Sequence, residues 1–189
     1  LFLIEILKGC PHGCRFCSAG FIYRPPRVYP LENICTAIES ASGRTDKIGL
    51  VSSAIADHPD IDSICSFAIT RGFQLSFSSL RADLLNDNLV QALSRSKVKT
   101  ATIAPEAGSE RMRQTINKQI TEPDILSAAQ RLVEAGIMNL KLYFMIGLPF
   151  ETDNDVQAIV DLTLKIKAVF LEASRKQKKM GTITLSLNP

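Results

Sequence analysis

Strand-like and helix-like stretches alternate along the whole 189-residue chain, and no other feature restricts its fold as strongly. "LFLIEIL" over residues 1–7 is apolar apart from Glu5 and predicts a buried strand. "KIGLVSS" (47–53), "FQLSFSS" (from Phe73), "KTATIAP" (99–105), "NLKLYFMIG" (139–147) and "TITLSL" (182–187) predict five more. The first predicted helix covers 31–42, with Ile34, Cys35, Ile38 and Ala41 on one stripe. Others are predicted at 59–71, 86–95, 109–115, 121–136 and 153–176. Asp57 and Asp60 are cap candidates for the second helix, and Thr121 with Pro123 opens the fifth. Gly43, Gly72 and Gly136 lie where helices should stop, and Gly181 is predicted to cap the last one. In "RPPRVYP" (24–30), three prolines argue against regular structure.

Six strands, each but the last followed by helical sequence, imply right-handed crossovers and parallel pairing. Six is too few for a closed eight-stranded barrel, and no GxGxxG follows the first strand. The expected fold is therefore α/β: a partial (β/α)6 TIM-like barrel with parallel strands, open at one side. At 46% hydrophobic, the chain can bury one substantial core, and residues 1–189 are expected to form one domain. It begins on Leu1 inside one strand and stops just after another, so it is expected to be a fragment of a longer protein. No apolar run is long enough to span a bilayer, and no membrane association is expected. A net charge of +3 and the absence of Trp do not point to nucleic acid. The run "RKQKK" (175–179) could be a basic patch for RNA but reads better as a solvated helix end. In parallel α/β folds, ligands bind at the carboxyl ends of the strands.

That is where "GCPHGCRFCSAG" (9–20) falls, with Cys10, Cys14 and Cys17 on one short loop. Five cysteines in all, three of them crowded, do not make a secreted disulfide framework, so a reducing cytoplasm is expected. Structural zinc takes four ligands, and His12 is too close to its neighbours to chelate comfortably beside them. Cys35 and Cys65 fall on helical stripes, where cysteine behaves as a small core hydrophobe. A zinc site recruiting one of them stays open as a minor reading. An iron–sulfur cluster is the natural alternative, because three thiolates on a cubane leave one iron without a protein ligand.

The C-x3-C-x2-C spacing, with Phe16 before the last cysteine and a strand before the loop, resembles the radical S-adenosylmethionine (SAM) superfamily. The resemblance implies a [4Fe–4S] cluster on Cys10, Cys14 and Cys17, with SAM chelated to the open iron. In that family, one electron from the cluster breaks a carbon–sulfur bond of SAM. The resulting 5'-deoxyadenosyl radical takes a hydrogen atom from substrate. A flavodoxin- or ferredoxin-type electron donor is implied as well. The chain is similar to the branch that includes methylthiotransferases and Elp3-like proteins. "CPHGCRFCSAGFIYRPPR" resembles uncharacterised members that often carry a cobalamin-binding-like domain upstream, which leaves cobalamin to a domain outside these residues.

The resemblance carries over to further positions. Phe16 is expected to shield the cluster and lie near adenine. Ser52 and Ser53 replace the family's Gly-Gly-Glu-like turn and lack its carboxylate. Ser78, Ser79 and Arg81 follow the third strand, over the same opening. "APEAGSERMRQTINK" (104–118) resembles the ribose-binding stretch, implying Glu106 on the ribose and Lys118 on the methionine carboxylate of SAM. "MIGLPFET" (145–152) resembles the adenine-contacting strand, with Met145, Ile146 and Gly147 as candidates and Glu151 and Thr152 as helix caps. The catalytic residue beyond cluster and SAM, and the substrate, are not legible. The competing reading is a non-catalytic iron–sulfur or zinc module that binds protein or RNA.

Overall fold

The structure, a computed structural model, describes all residues 1–189. The chain forms two compact units. The first comprises Leu1–Gly13, Cys17–Leu80 and Leu84–Val98; the second comprises Cys14–Phe16, Arg81–Asp83 and Lys99–Pro189.

In the first unit, β1 (Phe2–Glu5), β4 (Lys47–Val51) and β5 (Gln74–Ser76) form a parallel sheet in the order β1-β4-β5. Ile48, Gly49 and Leu50 are consecutively buried in β4, as expected of a parallel strand covered on both faces. The helices α2 (Leu31–Ser40), α3 (Ile61–Thr70) and α4 (Asp87–Arg95) supply the crossovers. Ile34 and Ile38 of α2 are fully enclosed, and Asn86 caps α4 by accepting from the Leu89 N–H at 2.8 Å. In the second unit, β6 (Thr100–Glu106), β7 (Asn139–Met145) and β8 (Thr182–Asn188) form another parallel sheet. It is crossed by α5 (Glu110–Thr115), α6 (Glu122–Glu134) and the long α7 (Asp153–Gln177). Thr121 and Thr152 open α6 and α7 through reciprocal capping boxes with Asp124 and Asp155. Every pairing among these six strands is parallel, as the alternation predicts, and the sheets do not close into a barrel. No helix is long and apolar enough to cross a membrane.

Four local expectations need correction. The proline strap does hold regular structure: β3 (Arg27–Val28) pairs antiparallel with β2 (Leu7–Lys8), because both residues lie between prolines and keep their own N–H groups. Gly181 does not cap α7; Lys178 takes the left-handed position, at φ 51°. A side chain at Gly181 would overlap the Met138 carbonyl, so its role is close packing at the start of β8. Asp60 precedes α3 without a side-chain cap; the His58 ring accepts from its N–H instead. Asp57 pairs with His12 rather than capping a helix.

Asp155 joins α5 to α7. It accepts from Ser109 Oγ (2.6 Å) and Thr152 Oγ1 (2.6 Å) and is held by Arg111. The Arg111 guanidinium first, then these hydroxyls, push its carboxyl well below the usual carboxylate range. A depressed folded pKa means the stabilisation is fully present above the unfolded value and is lost as pH falls through the folded one. Asp155→Asn is therefore expected to lower the urea midpoint at pH 7. The gap to wild type should close progressively in acid below about pH 4, as wild-type Asp155 loses its charge. Urea titrations across pH check this; a gap that does not change with pH would contradict it.

Candidate active site

The second unit gathers several of the expected residues. Strand β6 ends at Glu106, which adopts φ 70° and turns the chain into a loop-and-helix segment running to Ile120. Arg113 organises that segment from inside. Its side chain is 1% exposed; Nε donates to the Ile120 carbonyl (2.8 Å), and Nη1 to the carbonyls of Ala107 (3.1 Å) and Gly108 (2.7 Å). The segment returns through Lys118, whose N–H donates to the Arg113 carbonyl at 2.8 Å. Lys118 is only 7% exposed, and its Nζ lies 3.3 Å from Glu106 Oε1. It is not the solvated helix end that a lysine after a short helix usually is.

Phe16 reaches the same place from the cysteine loop. Its ring centroid lies 5.9 Å from Lys118 Nζ, within cation–π range. Arg15 docks this piece of loop by donating its N–H to the Ile116 carbonyl (2.9 Å) and its guanidinium to the Thr115 carbonyl. Arg81 pairs with Asp83 (2.8 Å) and donates to the Lys118 carbonyl (3.0 Å), so it braces the lysine's backbone. Met145 packs partly against the buried Ala107, Met112 and Ile116. Ile146 donates its N–H to the Asn188 carbonyl (3.0 Å). Gly147 sits at φ +79° and donates to Glu151 Oε2 (2.6 Å), so Glu151 closes this turn while Thr152 caps the helix.

In the first unit, Cys10 is buried and Cys17 partly so. Gly9 adopts φ +88°, and any side chain there would overlap the Tyr23 carbonyl, which explains a glycine immediately before the first cysteine. His12 Nε2 contacts Asp57 Oδ1 at 2.9 Å. Ser52 accepts from the Ala54 N–H (2.9 Å) in a tight turn after β4; Ser53, Ser78 and Ser79 are exposed.

None of the five cysteines is in a disulfide. Burial pushes the thiol of Cys65, a core residue as expected, up to about 12; Cys35 is only partly buried rather than in the core, and burial raises its thiol as well. The structure gathers no three His, Cys, Asp or Glu side chains at ready metal-binding distance. The donor chemistry of the loop nonetheless fits an iron–sulfur cluster: three thiols within eight residues, none consumed in a disulfide. Sequence reasoning had not singled out Arg113, because a fully buried arginine looks like any other helix-surface charge until its carbonyl partners are visible.

Comparison with known proteins places this arrangement. An uncharacterized protein of Methanocaldococcus jannaschii is 42% identical over 190 residues, matching 100% of this chain and 40% of that protein. The ribosomal protein uS12 methylthiotransferase RimO of Thermodesulfovibrio yellowstonii is 24% identical, matching 97% of this chain and 46% of its own length. The chain thus spans less than half of these relatives. Among solved structures, the radical SAM methyltransferase TsrM of Kitasatospora setae, with cobalamin and a [4Fe–4S] cluster bound, superposes with a TM-score of 0.76. That match covers 99% of this chain and 36% of TsrM at 14% identity, a likeness of fold. The partial (β/α)6 barrel expected from the alternation is the architecture these neighbours share. The model of the radical SAM superfamily matches residues 4–163, most of the chain, so this chain belongs to the radical SAM superfamily.

Proposed function

We propose that residues 1–189 are the catalytic core of a longer radical SAM enzyme. The observation that carries the reading is the loop of three cysteines, none in a disulfide, after the first parallel strand, in a chain of this family. Cys10, Cys14 and Cys17 are the cluster ligands in this reading. Held by these three thiolates, a [4Fe–4S] cluster would supply one electron for the reductive cleavage of SAM, the radical chemistry by which this family abstracts hydrogen from substrates.

The chain's own residues bind and orient SAM. Lys118 presents a desolvated ammonium to the methionine carboxylate, and Glu106 accepts from the ribose hydroxyls. Arg81 braces the Lys118 backbone. Phe16 is the residue expected to shield the cluster, and the Met145–Gly147 backbone offers main-chain contacts to the nucleoside; Ser52, Ser53, Ser78 and Ser79 are small contacts that the family resemblance implies. Radical SAM enzymes need a reductant, here assigned to a flavodoxin- or ferredoxin-type protein. Cysteines outside any disulfide and a labile cluster make the cytoplasm the compartment that suits this chemistry. A cobalamin domain and the substrate-binding segments would lie outside these residues.

The test is anaerobic reconstitution of the full-length protein, followed by SAM titration and product analysis under a strong reductant. Wild type is expected to release 5'-deoxyadenosine. Lys118→Ala is expected to weaken SAM binding about tenfold, roughly 1.4 kcal/mol, with iron content unchanged. The loss sits at the lower end for a charge-assisted contact because Lys118 is already paired with Glu106, so the ligand carboxylate gains only part of its charge. Glu106→Gln should change affinity less, since the amide still accepts a hydrogen bond and frees the lysine. Wild-type affinity in Lys118→Ala would remove the lysine from the site. A cluster-loaded protein that never yields 5'-deoxyadenosine would make it a binding module.

A further inference from the structure

Residues 6–31 carry Lys8, Arg15, Arg24 and Arg27 and not one Asp or Glu. Three of these cations, Lys8, Arg24 and Arg27, lie in the first unit on the two arms that flank Cys10 and Cys17. None forms an ion pair with a carboxylate. The nearest acid along the first arm, Glu5, is occupied by the Tyr29 hydroxyl at 2.8 Å. Lys8 and Arg27 stand directly opposite each other in the antiparallel β2–β3 ladder. Like charges in that relation destabilise a ladder, so the pair works against folding.

The same face exposes large apolar side chains: Phe21 (56%), Ile22 (71%) and Tyr23 (44%). Lys8 Nζ lies 5.7 Å from the Tyr23 ring centroid, and the Arg24 guanidinium 5.9 Å from that of Phe21. The strap is fixed rather than loose. Tyr29 donates its N–H to the Ile6 carbonyl (3.1 Å), and Arg24 donates to the Pro11 carbonyl (3.2 Å). The buried His58 accepts from Asp60 at Nδ1, so its protonated Nε2 donates to the Tyr29 carbonyl (3.1 Å). A rigid face combining unpaired cations, exposed aromatics and an unfavourable charge pair is built for an anionic partner with an apolar centre.

We propose that this face is the docking surface of an acidic one-electron carrier protein, flavodoxin- or ferredoxin-like, which delivers its electron beside the cysteine loop. The proposal rests on the cluster reading above. The donor is oxidised by one electron, and a [4Fe–4S]2+ cluster on the loop is reduced to 1+; no proton or atom moves. A carrier protein is the occupant rather than RNA because the face flanks the cysteine loop, and a cluster there takes its electron from a redox protein, a role RNA cannot fill.

The test uses the full-length reconstituted protein, with a flavodoxin and a [2Fe–2S] ferredoxin as probes. Arg27→Glu reverses one charge opposite Lys8 and turns a repulsive cross-strand pair into an attractive one, while Ile22→Ser removes the most exposed apolar side chain of the strap. Calorimetric affinity for the oxidised donor and the stopped-flow rate of cluster reduction by reduced donor are read at low and high salt. Arg27→Glu is expected to lose about tenfold in both at low salt, to flatten the salt dependence, and to melt no lower than wild type. Ile22→Ser should lose affinity at both salt concentrations. Iron content and reduction by photoreduced deazaflavin should stay at wild-type values in both variants. Donor affinity and rate unchanged in Arg27→Glu, or neither probe binding the wild type, overturns the proposal while leaving the cluster reading intact. So does loss of binding to a single-stranded RNA oligomer with donor reduction unaffected. A wild-type protein that takes up no cluster overturns the cluster reading itself.

Discussion

Full-length protein in which Cys10, Cys14 and Cys17 are all replaced by Ala is expected to stay colourless and essentially iron-free after anaerobic reconstitution. The double replacement Cys35→Ala with Cys65→Ala is expected to keep the brown chromophore and its iron. The contrast follows from where the thiols are. A cluster takes thiolates, so a ligand must be able to lose its proton at working pH. Cys65, on the core face of α3, has its thiol pushed up to about 12 by burial, and burial raises Cys35 on α2 as well. Cys65 is packed as a hydrophobe and Cys35 is partly buried, both within helices. Cys10, Cys14 and Cys17 share one loop, where backbone adjustment costs little compared with moving a helix. Iron analysis and the visible spectrum decide the matter. A full cluster in the triple variant would overturn the ligand assignment, and loss of the cluster in the double variant would bring the helix cysteines into the site.

Much of this architecture was legible because two periodicities alternate cleanly. Buried parallel strands such as β4 read as short apolar runs, and helices such as α4 and α6 announce themselves by caps at Asn86 and Thr121. What escaped depends on contacts between residues far apart in sequence. The β2–β3 ladder hides in a proline-rich strap, since proline disfavours strands only where its missing N–H is needed. Gly181 looked like a helix stop because it follows α7, whereas its constraint comes from Met138, more than forty residues earlier. Asp57 was read as a cap from its local position, yet its partner is His12, on the cysteine loop.

The site was legible to a different degree. The cysteine spacing is a short-range signal and needs no fold to be read. Lys118 and Glu106 could be named as candidates from a stretch that resembles the family's. Their pairing at 3.3 Å could not, because it depends on a return of the chain that Glu106, Asn117 and Gln119 make at positive φ without a glycine. Positive φ is uncommon for Glu and Gln, though Asn adopts it more readily, and at Glu106 and Gln119 it persists because surrounding contacts impose it.

Arg113 supplies such contacts here, and its removal is expected to destabilise the second unit strongly. Arg113→Met keeps most of the aliphatic volume but withdraws the donors from three carbonyls, those of Ala107, Gly108 and Ile120. These carbonyls face the protein interior, so water cannot readily replace the guanidinium, and each is left with part of its desolvation cost. Burial lowers the Arg113 pKa, yet an arginine starts so high that it stays charged at neutral pH. The lost contacts are therefore charge-assisted. The expected destabilisation is about 3–4 kcal/mol, which for a chain of this size lowers Tm by roughly 10 °C. Arg113→Lys should recover only part of it, because one ammonium cannot reproduce the planar fork that reaches both ends of the segment. Because Arg113 holds the segment that carries Lys118, SAM binding should fall in Arg113→Met even below its Tm. Lys118→Ala, by contrast, should weaken SAM binding while moving Tm much less. Thermal melts and SAM titrations on both variants separate the two roles. An Arg113→Met protein that melts like wild type would mean the segment is held by its backbone alone, and the loop that presents Glu106 and Lys118 would then owe its shape to α5 and β6 rather than to a buried charge.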